Sequence, residues 1–210
     1  MEESRLSWRP DDYAPRAAFD PFPAYPHDDV TARDQAQAIT EAVPPLWDVT
    51  CYLASHEPAA RTNGYSAYWT GRTHGDDGKP KPGPVHGYMV LGAKRIMPHP
   101  AMTRYLVAHE YGHNVEWMLN IARGADRIYD DTMVREYARI RRLSGDHHGT
   151  GGRWHDSPTE ILACDFRILI LQAETEFWPH PGIPRPETIP ELRRWWTAQL
   201  DILAEAREDT

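Results

Sequence analysis

Leu106-Val107-Ala108-His109-Glu110-Tyr111-Gly112-His113-Asn114 is the stretch on which the reading of this chain turns. It lies inside a helical pattern running from Ala101 to Ala122, with apolar residues at 102, 105, 106, 107, 111, 115, 118, 119 and 121 and Gly124 just beyond the end. On a helix, residues four apart share a face, so His109 and His113 present two imidazoles to one point. Two such nitrogens can bind one Zn²⁺ at ~2.0–2.1 Å each. Glu110 is turned about 100° around the helix, off that vertex but within reach of a water on the metal. Zinc lowers the pKa of such a water toward ~7, and a carboxylate can then take its proton as it attacks a carbonyl. Gly112 has no side chain and allows another element close approach.

Outward from the motif, the chain divides into a strand-rich first half and a helical second half, which predicts an α+β fold. Residues 1–28 carry Pro10, Pro15, Pro21, Pro23 and Pro26 among aromatics and acids, and read as an extended arm, neither helix nor strand. A helix is expected from Asp29 to Ala42, stopped by Pro44-Pro45. Strand-like pieces follow at 46–54, 65–70 and 87–96, with a Gly- and Pro-rich mobile loop expected over 71–84. After the motif helix, a second helix is expected over 131–143, a loop over 144–152, and a third helix opening at Ser157-Pro158 and continuing through Gln172. A Pro-rich stretch, 179–190, precedes a terminal helix from Glu191 to about Ala206. The expected organisation is an arm over 1–28 and one domain over 29–210, with sheet and motif helix in 29–122 and a helical part in 123–210.

A catalytic zinc takes a third protein ligand. Glu116 and Leu119 stand where the metzincin pattern has Gly and His, so that class is excluded. Asp126 or Asp130 could serve, but Gly124-Ala125-Asp126-Arg127 lacks the signature of the aspartate type. Glu160, in Ser157-Pro158-Thr159-Glu160-Ile161-Leu162-Ala163-Cys164-Asp165-Phe166, sits in the first turn of a strongly apolar helix. A carboxylate on a core-facing helix is costly unless paired or metal-bound. The bland alternative is a Glu favoured by the helix dipole, worth ~0.3–1 kcal/mol.

With those residues in view, the chain resembles a small gluzincin-type zinc metallopeptidase. The string from Glu160 to Phe166 is similar to the glutamate helix of lethal-factor-type peptidases and related minimal zincins. The resemblance covers about residues 87–172. It implies a zincin-like fold, with a small twisted N-terminal sheet packed on the motif helix. It also implies zinc held by His109, His113 and Glu160, Glu110 as general base, and 87–96 as an edge strand that pairs with an extended peptide. Two departures stand out. Where the family often has an acid four residues after the ligand Glu, orienting a zinc histidine, this chain has Cys164, followed by Asp165. The family's oxyanion Tyr ahead of the ligand Glu is missing; His155 is the nearest substitute, with Arg153, His148 and Tyr137 as alternatives.

Composition narrows the rest. The 210 residues carry 23 Lys+Arg against 31 Asp+Glu, a net charge of −8, which disfavours nucleic-acid and anionic-membrane surfaces. No apolar run approaches the ~18–20 residues of a membrane span. The acidic start, Met1-Glu2-Glu3-Ser4-Arg5, has no apolar segment after it, which points to the cytoplasm. Cys51 and Cys164 read as buried reduced thiols. Of the 11 histidines, His147-His148 reads as solvated loop, and His56, His74, His86 and His99 have no role. Trp195-Trp196 reads as a core anchor, and Arg139, Arg141 and Arg142 as a solvated helix face. The expected activity is zinc-dependent hydrolysis of a peptide or protein substrate. Two alternatives stay open: a zinc-binding structural or regulatory protein on the same fold, and a hydrolase of a specialised non-protein amide.

Overall fold

Strand, helix, strand is the first arrangement the chain builds. In a computed structural model describing residues 6–9, 29–54, 64–74, 80–92, 100–125, 131–143, 154–173 and 176–208, strand β1 (Leu6–Arg9) is followed by helix α1 (Asp29–Ala42) and strand β2 (Val49–Ala54). β1 and β2 pair in parallel, from Leu6 opposite Val49 to Arg9 opposite Tyr52, as a crossover through a helix allows. Part of the supposed arm is therefore a sheet edge. Leu6-Ser7-Trp8-Arg9 contains no proline and can supply a full ladder, whereas the prolines begin at Pro10.

Strands β3 (Gly64–His74) and β4 (Pro80–Gly92) form an antiparallel hairpin, and the sheet order is β1-β2-β4-β3. This corrects two expectations. Strand extends into both ends of the loop expected over 71–84: Arg72 faces Pro82, Thr73 faces Lys81 and His74 faces Pro80, past an irregularity between Thr70 and Arg72, and 75–79 lie outside the described residues. Residues two apart turn their nitrogens to the same edge, so Pro80, Pro82 and Pro84 gather their missing donors on one side. β2 pairs β4 only from Gly87 onward. The second correction concerns Gly87–Gly92, which is not an edge. It pairs in parallel with Val49–Ala54 on one side and antiparallel with β3 on the other, so its backbone is already spoken for. Consecutive Met89, Val90 and Leu91 are all fully buried, the mark of a strand covered on both faces. Positions 93–96 lie outside the described residues.

Helix α2 (Pro100–Ala122) carries the motif. It is buried almost all the way round from Tyr105 to Asn120, including the polar His109, Glu110, Asn114, Glu116 and Asn120, with His113 half-buried. The apolar pattern is therefore that of a central helix and not of a one-sided surface helix. The chain divides into two compact units, Met1–Val107 and Ala108–Thr210, each described by itself.

In the second unit, helices α3 (Asp131–Ile140), α4 (Pro158–Leu169) and α5 (Pro190–Glu208) follow. α4 starts at Pro158 behind an extended Ser157 and ends three residues short of Gln172, which has φ of 48°. Its buried Arg167 donates to the carbonyls of Ala173 at 2.7 Å and Phe177 at 2.9 Å, binding the outgoing chain back onto the helix. Arg141 is not solvated. It is fully buried, 2.9 and 3.0 Å from the two Asp165 oxygens, donates to Pro184 O at 2.6 Å and lies over the Trp178 ring. Arg139 and Arg142 are exposed as expected. Trp196 is fully buried against Phe166 (5.3 Å) and Trp195 nearly so, as an anchor requires. Among the described residues no helix is long and apolar enough to cross a membrane.

Candidate metal centre

Gly112 sets the spacing of the site. A methyl placed there would lie 2.9 Å from Cα, 3.1 Å from O and 3.2 Å from Cβ of Ala163. Only glycine lets α2 and α4 come this close, and the close approach carries Glu160 over the histidine face. Tyr111 and Phe166 meet on the same interface with ring centroids 6.3 Å apart.

His109 Nε2 is 3.0 Å and His113 Nε2 3.4 Å from Glu160 Oε2. The two imidazoles stand edge to face, centroids 5.0 Å apart. One donor atom from each of the three residues lies within 4.8 Å of the others, so the group can hold a metal ion. Ligands ~2.0–2.1 Å from a tetrahedral ion stand ~3.3 Å from one another, and the two distances to Glu160 bracket that value. Two neutral imidazoles and a carboxylate are the donor set that zinc favours in sites with an open position.

Each histidine has a polar group behind it. Nδ1 of His109 lies 3.4 Å from Cys164 Sγ, leaving Nε2 for the metal side. Nδ1 of His113 faces Glu116 Oε2 at 3.9 Å. The sulfur thus occupies the orienting place expected of an acid, on the far side of the ring from Glu160. Asp165 does not contribute there: it is taken by Arg141 and by the Tyr137 hydroxyl, which donates to it at 2.7 Å. Tyr137 is in consequence buried in this cluster and is no oxyanion donor.

The electrostatics follow from burial and from these pairs. For His109, burial opposes protonation, but the Cys164 and Glu160 charges and hydrogen bonds outweigh it and raise the imidazole to about 9. His113 is likewise raised against burial, by Glu116, Glu160 and Glu110. Burial would raise Glu160, yet the two histidines hold it far below the usual carboxylate range. Burial would also raise the Cys164 thiol, and His109 and His180 together bring it down to about 5. In the absence of a metal the carboxylate and thiol thus favour protonated imidazoles, and the imidazoles in turn favour the charged carboxylate and thiolate.

Glu110 is buried, one residue past His109 on the same helix, and its backbone carbonyl accepts from Asn114. His155 lies in the short turn Trp154–Asp156, half-exposed, with its ring 3.7 Å from Asp156. Its carbonyl accepts the Nδ1 hydrogen bond of His180 at 2.7 Å. Asp126, Asp130, His147, His148 and Arg153 lie outside the described residues. Glu116, His180 and Trp154 were not singled out as functional in the sequence. Glu116 was legible in principle, three residues after His113 and hence on its face. His180 and Trp154 carry no such signal, because the chain's path after α4 brings His180 in. Comparison with known protein families, curated proteins and solved structures finds no match.

Proposed function

We propose that the protein is a zinc-dependent metallopeptidase of the gluzincin type, with His109, His113 and Glu160 holding the ion and Glu110 as general base. The observation that carries this reading is the convergence of both imidazole Nε2 atoms on Glu160 Oε2, at 3.0 and 3.4 Å, across 51 residues of sequence in the case of His109. Three protein donors suit a catalytic zinc, which keeps its fourth position open, whereas structural zinc takes four. Cys164 faces Nδ1 of His109 and so supports the ring instead of closing the site.

Zinc bound there supplies Lewis acidity, lowering the pKa of water toward ~7 and polarising a substrate carbonyl. The chain's own part is proton handling and orientation. The Glu110 carboxylate takes the proton of the attacking water and delivers it to the leaving amine nitrogen. Cys164 and Glu116 keep the two rings turned so that Nε2, not Nδ1, meets the ion. His155, half-exposed beside α4, is the oxyanion donor that belongs to this reading. A zincin-like fold, and a peptide or protein as substrate, are parts of the same proposal.

Replacing Glu110 with Gln tests the reading. The expected variant binds zinc at the wild-type stoichiometry but no longer cleaves a broad peptide library. Retained cleavage would remove Glu110 as the base, and a wild-type protein that binds zinc but cleaves nothing would favour a binding role.

A further inference from the structure

Trp154 is open to solvent beside the metal ligand His109, 46% exposed, whereas the other tryptophans of its unit are buried or half-buried. Its indole lies 5.7 Å from the His109 ring, centroid to centroid. His180 stacks nearly parallel to the indole at 5.3 Å and 14°. His180 is itself immobilised. It is fully buried, its Nδ1–H donates to the His155 carbonyl at 2.7 Å, and Trp178 packs edge-on against it at 4.7 Å. Trp178 is in turn held by its Nε1–H to Ile183 O at 2.8 Å and by Arg141.

An exposed indole costs hydration, and burying it is worth far more than one stacking contact with a histidine. Here the fold instead builds a stack beneath it that keeps the ring flat and open. An aromatic surface fixed before a ligand arrives loses little entropy on binding. One residue of extended chain spans ~3.3–3.6 Å, so a ring centred 5.7 Å from a ligand imidazole is one or two residues from a bond being cut.

We propose that Trp154 is a specificity-determining residue: it forms the wall of a substrate subsite and selects an aromatic or large apolar side chain next to the scissile bond. This rests on the metallopeptidase reading and adds the substrate class to it. An aromatic–aromatic contact of the usual strength corresponds to roughly three- to tenfold in affinity.

The test uses the zinc-loaded protein and two small metal-binding probes that differ only by a benzyl group, glycine hydroxamate and L-phenylalanine hydroxamate. Wild type is expected to bind the phenylalanine probe roughly three- to tenfold more tightly. Trp154→Ala is expected to bind both alike, with zinc stoichiometry and glycine hydroxamate affinity unchanged, and Trp154→Phe to restore most of the preference. With peptide substrates the loss appears in KM while kcat holds. No preference in wild type, or a preference that survives in Trp154→Ala, overturns the proposal while leaving the metal site intact. Zinc uptake without binding of either hydroxamate counts against the open metal position, and so against the metallopeptidase reading and this subsite together.

Discussion

Substituting Gly112 by Ala perturbs the metal site without touching a ligand. On an isolated helix the change stabilises by about 1 kcal/mol. In this fold the new methyl meets Ala163 Cα at 2.9 Å and Ala163 O at 3.1 Å, both backbone atoms. Carbon–carbon contacts settle near ~3.5–4.0 Å, so the two helices must part by roughly 0.6 Å or more. Overpacking of this kind costs ~1–3 kcal/mol, leaving a net loss of up to about 2 kcal/mol after the helix gain. For a chain of this size that lowers Tm by a few degrees, ~2–4 °C per kcal/mol. The larger effect falls on the site. Glu160 rides on α4, and metal–ligand distances tolerate only about ±0.2 Å. A displacement of ~0.6 Å therefore weakens zinc far more than it weakens the fold. Thermal unfolding of the metal-free protein, together with zinc competition against a chromophoric chelator, measures the two effects separately. Unchanged zinc affinity in a Gly112→Ala protein would refute the claim that this contact sets the His–Glu spacing.

Three further outcomes are expected. Cys164→Ala removes the partner of His109 Nδ1 and should lower zinc affinity by about 10–100-fold, as loss of such orienting groups does; equal affinity in chelator competition would show that the sulfur does not orient the ring. Zinc binding at pH 7 should release protons, because the metal needs His109 neutral while the metal-free imidazole stays protonated up to about 9. Apparent affinity should consequently climb toward tenfold per pH unit for each proton displaced and flatten once both imidazoles are neutral without the metal. Calorimetry in buffers of different ionisation enthalpy reads the proton count, and a count of zero contradicts the cluster described. Asp165→Ala strands the buried Arg141 guanidinium and should cost ~3–5 kcal/mol in urea unfolding; a cost below about 1 kcal/mol would mean that water reaches Arg141.

Much of the helical half was legible in the chain itself. α1 ends at Ala42 before Pro44-Pro45, and α2 ends at Ala122, because these boundaries rest on local chemistry: proline stops, a Gly at positive φ, a Ser-Pro start. The hairpin was harder. Pro80, Pro82 and Pro84 have the composition of a loop, and only the partner strand across from Pro80 and Pro82 makes the stretch a strand. The edge status of 87–92 failed for a similar reason. A strand's own residues report that it is apolar, but not how many neighbours it has. Arg141 reads as a surface residue in sequence because nothing local shows that Asp165, 24 positions away, will be buried beside it.

By itself, the sequence determined that His109 and His113 share a helix face, with Glu110 beside them and Gly112 opening the surface between. Those relations depend on 3.6 residues per turn and on nothing else in the protein. It also offered Glu160 as a candidate, on the cost of a carboxylate in an apolar helix. Tertiary structure decided the rest: that α4 approaches α2 at Ala163 closely enough to bring Glu160 to both Nε2 atoms, that a thiol takes the place of an acid behind His109, and that His180 arrives from a Pro-rich segment to hold Trp154 open. Such contacts join residues far apart in the chain, and their distances depend on how whole helices pack, which no local stretch encodes.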